Sequence, residues 1–257
     1  MNKKRQYLSL LLITWGFSLP SIATAQFISS GKAYFERKVS LKMKMQNQLE
    51  EDTGNEWMRS MIDKIATYTI AEFELAFDAQ QSYYNYIKDQ EVKGSTFSWG
   101  IEPGSRNKVY QNTKQNTYKA EKSFYENNYL IEDILPKYTW KIEEEVRTIA
   151  GYSCRKATTI IFDSVVVVAF YTDQILNTGG PESFNGLPGM ILGIAIPRMY
   201  TTWFATKIEI VPETITPFKP EKGSKKNNQK SLIESINKIG KDWDTKNKNK
   251  LIWTLCI

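Results

Sequence analysis

"YTWKIEEEVRTIAGYSCRKATTIIFDSVVVVAFYTDQI" runs from Tyr138 to Ile175. β-Branched and aromatic residues dominate it, and turn residues interrupt it twice. Ile149-Ala150-Gly151 joins two strands, and Asp163 precedes a third. The stretch therefore predicts three successive strands at short spacing, which favours antiparallel neighbours. Val165 to Val168 are consecutive, as expected of a strand buried on both faces or crossing a covered region.

The chain then changes character. "GGPESFNGLPGMILGI", Gly179 to Ile194, holds five of the 14 glycines and two of the nine prolines. Leu187-Pro188-Gly189-Met190 fits a type II turn, with Pro188 presetting φ and Gly189 tolerating a positive one. Gly179-Gly180-Pro181 and Asn185-Gly186 supply further bends. Met190, Ile191, Leu192 and Ile194 are apolar enough for a buried strand. The stretch reads as a structured loop entering a buried strand, either a corner of the sheet or a docking surface.

Period-two alternation recurs on both sides. "GKAYFERKVSLKM" places Ala33, Phe35, Val39, Leu41 and Met43 on one face of a strand. "YTIAEFELAFD" and "QSYYNYIKD" form a hairpin turning near Asp78-Ala79-Gln80. "SRNKVYQN" and "NTYKAEKSFY" form another pair, "NNYLIEDIL" is a strand or a connecting piece, and "MYTTWFATKIEIV" is a last strand. Trp57, Met58, Met61, Ile62 and Ile65 recur at helical steps, so "GNEWMRSMIDKIA" predicts a short amphipathic helix, either core packing or a lid. "SLIESINKI" predicts a second helix, with Ser231 and Glu234 spaced as a capping box. The fold class is mainly β: a curved antiparallel sheet or half-open barrel with one packed amphipathic helix and a short C-terminal helix. A sandwich is the main rival.

Composition narrows the function. The chain has 257 residues, 41% hydrophobic and 13% aromatic, enough for a real core. "MNKKR", the apolar "YLSLLLITWGF" and the small-x-small Ala23-Thr24-Ala25 predict a secretory signal over 1–25, cleaved before Gln26. Its apolar run is short of the ~20 residues of a membrane span, and no transmembrane span is expected after cleavage. Losing Lys3, Lys4 and Arg5 lowers the formal charge from +6 to +3, which argues against nucleic-acid binding. The basicity concentrates between Lys219 and Lys250, with ten lysines against four acids. That segment is either a solvated tail or a contact for an anionic surface. The chain divides into the signal, a β-rich domain over 26–218, and a basic linker with a C-terminal helix over 219–257.

Chemistry is sparse. There is no histidine, so Ser-His-Asp and Cys-His catalysis and imidazole-based zinc sites are excluded. No metal site, phosphate loop or dinucleotide fingerprint appears, and no cofactor is expected. Glu143 and Glu145 share a strand face and are candidate paired carboxylates for a hydrolase, or a solvated face opposite lysines. Cys154 and Cys256 could pair in an oxidising compartment, or Cys154 could be a small buried residue of its strand. The aromatics Tyr83, Tyr84, Tyr86, Phe97, Trp99, Tyr110, Phe124, Tyr125, Trp140, Phe170, Tyr171, Tyr200, Trp203 and Phe204 line a lipid-sized cavity or fill a core.

"GLPGMI", Gly186 to Ile191, resembles the signature of the GLPGLI family. The Trp-containing strand, the Ile-x-Gly-Tyr step before Cys154, "VVAFYTDQI" and "GGPESFNGLPGMIL" are similar to the family's pattern, which extends over about Phe35 to Ile239. Met190 replaces the family's Leu, a volume-conserving change, and Phe170 stands where Trp is common. The resemblance implies an exported envelope protein of Bacteroidota, in the periplasm or at the periplasmic face of the outer membrane. It also implies a curved sheet like those of periplasmic lipoprotein carriers, and it brings no catalytic residue. The candidate ligand-binding or docking residues are those of the motif: Gly180, Pro181, Phe184, Gly186, Leu187, Pro188, Gly189, Met190 and Ile191. The expected function is non-enzymatic and carrier-like, with a lipid, lipopeptide or outer-membrane protein as partner. The alternatives are an accessory subunit of an outer-membrane transport complex and, remotely, a carboxylate-dependent hydrolase.

Overall fold

The computed structural model describes residues 27–51, 56–62, 64–91, 104–124 and 126–257. The expected signal over 1–25, Phe97, Trp99, Tyr125 and the side chains of Trp57, Met58 and Met61 lie outside what is described. The first half comprises β1 (Gly31–Val39), α1 (Leu41–Glu51), α2 (Glu56–Met61), β2 (Thr69–Phe77), β3 (Gln81–Asp89), β4 (Lys108–Asn112), β5 (Thr117–Phe124) and β6 (Asn127–Ile134). The second comprises β7 (Lys141–Ile149), β8 (Tyr152–Ile161), β9 (Val165–Thr172), β10 (Met190–Ile196), a 3₁₀ turn at Pro197–Met199, β11 (Thr201–Glu209), β12 (Lys225–Asn227), α3 (Gln229–Ile239) and α4 (Thr245–Cys256).

Among the described residues, twelve strands form one sheet in the order β12-β6-β5-β4-β3-β2-β1-β11-β10-β9-β8-β7. Every pairing is antiparallel except β12 with β6. The end strands do not pair with each other, so the sheet is open, not a closed barrel. The three strands of the Tyr138–Ile175 stretch are the consecutive β7, β8 and β9 at one end. Ala150 (φ 48°) and Gly151 (φ 86°) make the two-residue turn between β7 and β8, the pattern that matches strand twist. At the β2–β3 turn the Asp78 carboxylate accepts from Gln80 N and Gln81 N, both at 2.7 Å.

One continuous core draws on both halves of the sheet, from Phe35, Phe73 and Tyr84 through Tyr118 and Ile131 to Val167, Ile191 and Trp203. Phe73 stacks on Tyr84 with ring centroids 4.7 Å apart. The helical C-terminus closes this core with Leu232, Ile236, Leu251, Trp253 and Leu255. Across the sheet, Ile215 packs with Ala76 and Tyr110, and Phe218 stacks on Tyr83 at 5.8 Å. The chain between β11 and β12 thus covers the second face.

The structure differs from the sequence expectation at several points. The first strand stops at Val39, and Leu41 and Met43 belong to α1. Ser40 N donates to Tyr200 O and its carbonyl accepts from Lys44 N, so the chain turns into a helix there. "LKMKMQNQLEE" suits that helix because it lacks β-branched residues. Valines of β9 are not buried on both faces throughout: Val166 is exposed, and two-sided burial holds only from Ala169 to Thr172.

The segment read as a linker over 219–230 is attached to the sheet. The buried Glu121 carboxylate accepts from Glu221 N (2.8 Å) and Ser224 Oγ (2.6 Å), and Glu221 accepts from Lys108 (2.8 Å) and Asn128 (2.6 Å). These bonds lay β12 along β6. The second helix begins three residues early, at Gln229, because Asn228 and not Ser231 is its N-cap. Asn228 Oδ1 accepts from Ser231 N at 2.8 Å and Ser231 Oγ accepts from Asn228 N at 3.0 Å, a reciprocal cap one helical turn upstream of the expected one. The apolar end, from Leu251 to Cys256, is helical, in α4, with Asp244 as N-cap.

Of the two readings left open for Cys154 and Cys256, the structure has the unpaired one: both are free, buried thiols, one on β8 and one in α4. Burial pushes each up to about 11 from an ordinary value of 9.0. A thiol held neutral in the fold contributes stability that is complete below pH 9 and lost as pH rises through 11. Ellman's reagent at pH 8 is expected to leave both thiols unmodified in the native protein and to titrate two after unfolding. Rapid native reaction of either would contradict this burial.

Candidate functional site

The Gly/Pro-rich loop is pinned before it turns. Asn177 Nδ2 donates to Asp78 O (2.7 Å) and Gln81 O (3.0 Å), and its Oδ1 accepts from Gly179 N (2.8 Å). Gly186 N donates to Thr178 O and Ile191 N to Gly179 O, which folds the loop back on itself. The expected type II turn is replaced by a tighter one, in which Gly189 N donates to Leu187 O at 2.8 Å. Gly189 has φ 138°, and a Cβ there would stand 2.0 Å from Thr172 O at the end of β9. Backbone presses directly on backbone at this point, so only glycine fits.

The motif residues are brought together, but mostly inward. Gly180, Pro181, Phe184, Leu187, Gly189, Met190 and Ile191 are buried, and only Gly186 and Pro188 are exposed. Phe184 packs on Tyr138 with centroids 5.4 Å apart. Trp140 Nε1 donates to Asn185 O at 2.9 Å, and the Tyr138 and Ser183 hydroxyls lie 3.2 Å apart. The connection from β6 to β7 therefore straps the loop down. Burial holds the Tyr138 phenol up to about 12, partly offset by its bond with Ser183.

Glu182, absent from the sequence candidates, is the loop's most consequential residue. It has φ 56°, a strained conformation for a residue with a side chain. Its carboxylate lies 3.6 Å from Lys122 Nζ, and both side chains are only 1% exposed. Asn107 Nδ2 donates to Glu182 Oε2 at 2.7 Å and Gln111 Nε2 to its carbonyl at 2.9 Å. Lys122 also donates to the backbone oxygen of Ile257. Desolvation lowers the pKa of Lys122, while Glu182 pulls it back up. The loop, β4, β5 and the end of α4 thus meet at one buried charge pair. One signal was legible: period two places Lys122 on the apolar face of Tyr118, Ala120 and Phe124, where a lysine needs a partner. Nothing marked Glu182 as that partner.

Glu143 and Glu145 do share a face, and both hold one lysine, Lys156, at 3.1 and 2.8 Å. Thr158 Oγ1 also donates to Glu143 at 3.0 Å. The bond from Lys156 lowers the Glu143 pKa, the opposite of what a general acid needs. Tyr84, Tyr110, Phe124, Phe170, Tyr171 and Trp203 are buried in core clusters, so these aromatics fill interior space. Among the described residues no cluster of three or more Cys, Asp or Glu is placed to hold a metal ion, and no helix is long and apolar enough to cross a membrane.

No curated protein matches this sequence. Two solved structures of PNGF-II, in the P21 and C2 space groups, are similar at 11% and 12% identity with TM-scores of 0.49 and 0.46. They cover 80% and 88% of this chain, which spans about a third of theirs, 32% and 33%. A family model described as "N-glycanase peptide, N-terminal domain" matches residues 81–232, from β3 to the start of α3 and across the Gly/Pro loop. That is more than half of the chain, and the chain belongs to this family.

Proposed function

We propose that this chain is a non-enzymatic, exported protein of the cell envelope that binds a protein ligand, with a lipid or lipopeptide as the second choice. One observation carries the reading. The acidic groups that could do acid–base work in the loop and on β7 are already engaged: Glu182 with Lys122, Glu143 and Glu145 with Lys156. The family description supports an accessory role, since it names an N-terminal domain of an N-glycanase. The buried aromatics favour a protein ligand over lipid cargo, because they occupy the space a lipid would need. The resemblance of "GLPGMI" and its flanks to the GLPGLI family supports export to the periplasm or the periplasmic face of the outer membrane.

Native mass spectrometry of the full chain purified from its host's envelope tests this. A stoichiometric protein partner is expected. A co-purifying lipid mass would favour the carrier reading, and a bare monomer would overturn both. In parallel, the chain is expected to release no glycan from an N-glycopeptide. If it does release glycan, the non-enzymatic reading falls, and E143Q/E145Q then asks whether these carboxylates are responsible. As a surface ion pair on β7, they are expected to leave thermal stability essentially unchanged when neutralised.

A further inference from the structure

Away from the loop, a cleft opens where β1, α1, the 3₁₀ turn and α4 converge. Its volume is about 550 Å³, part of it open to solvent. Arg37, Lys44, Arg198 and Lys250 line it, one from each of those four elements, with Tyr200, Thr201, Trp253 and Thr254 between them. Among the described residues the lining contains no acid. We propose that this cleft is a binding site for a tetrahedral oxyanion, a phosphate or sulfate group, either free or carried by a lipid headgroup.

Four cationic side chains from four elements that are separate in sequence face one concavity, an arrangement that raises the local potential for anions. Arg37, Lys44 and Lys250 hold further contacts of their own while bringing their charge to the cleft. Two of the four are arginines, whose planar forks match the oxygens of phosphate. Both are held in place beforehand. The Arg198 guanidinium lies 4.8 Å from the Trp253 ring centroid and donates to Ser164 O at 3.3 Å. Arg37 is 7% exposed and lies 5.7 Å from the Trp203 ring centroid. Little side-chain freedom is then lost on binding. The cleft is distinct from the protein-binding role proposed above, and either can fail without the other.

The test uses the full chain after signal cleavage. Inorganic phosphate and sulfate are titrated by calorimetry, and flotation is measured with phosphatidylcholine vesicles containing or lacking phosphatidic acid. Saturable binding of the free ions identifies an ion site. Binding only to phosphatidic acid vesicles identifies a headgroup site. In either case K44Q/K250Q is expected to weaken binding at least tenfold while remaining folded at the assay temperature. R198Q is the second variant, read the same way should the first fail to fold. K219Q/K222Q, in the basic segment away from the cleft, is expected to bind like the parent. No binding in any arm overturns the proposal, as does equal loss in the K219Q/K222Q control, which would mark non-specific attraction to the basic segment.

Discussion

Replacing Glu182 with glutamine is expected to destabilise the protein by about 3–5 kcal/mol, because it strands Lys122 without its counter-charge in the core. Two readouts separate this from ordinary loop damage. The first is the double variant Lys122→Met/Glu182→Gln, which removes both charges and is expected to recover most of the loss. The second is pH. Burial already lowers the Lys122 pKa, and losing Glu182 removes the largest influence that opposes it. The unfolded chain would then bind a proton that the folded variant does not. Stability of E182Q is therefore expected to rise with pH toward the ordinary lysine value of 10.5, and to be lost as pH falls below it. Urea unfolding of the three proteins between pH 6 and 10 measures both effects. A double variant as unstable as the single one would show that the charge pair is not what matters at this site.

Gly189→Ala carries the second large effect, about 3 kcal/mol or more. A φ of 138° is strained for alanine, and its Cβ would meet Thr172 O at 2.0 Å. Neither carbonyl nor loop can yield without shifting β9 or β10, which are paired up to Met190 and Thr172. Gly186→Ala is the internal control. Gly186 also has a positive φ, 88°, but its nearest neighbour is Trp140 Nε1 at 3.9 Å. The expected cost there is about 1 kcal/mol, from the backbone conformation alone. Equal melting temperatures for the two variants would mean that the close approach at Gly189 relaxes freely.

These two positions also mark how far the sequence could be read. The motif's glycines and prolines announced a tight, structured corner leading into a buried strand, and β10 follows at Met190. What they could not convey is which backbone the corner presses against, because Thr172 O is supplied by a different strand. Glu182 is a sharper case. In one dimension it is an acid in a polar loop, and its partner Lys122 lies sixty residues away. Their pairing depends on where β5 and the loop end up, which local pattern does not encode.

Period-two alternation, β-branched runs and turn residues determined the β class, ten of the strands and the hairpins at Asp78 and Ala150-Gly151, because each is a property of neighbours in the chain. The absence of histidine likewise removed whole classes of catalysis before any fold was known. Tertiary structure alone decided the rest. Glu121 attached the basic segment to β6, core contacts kept Leu251 to Cys256 helical, and the two thiols were buried apart. Buried charges and free hydrogen-bonding groups take the partner that the fold brings within reach.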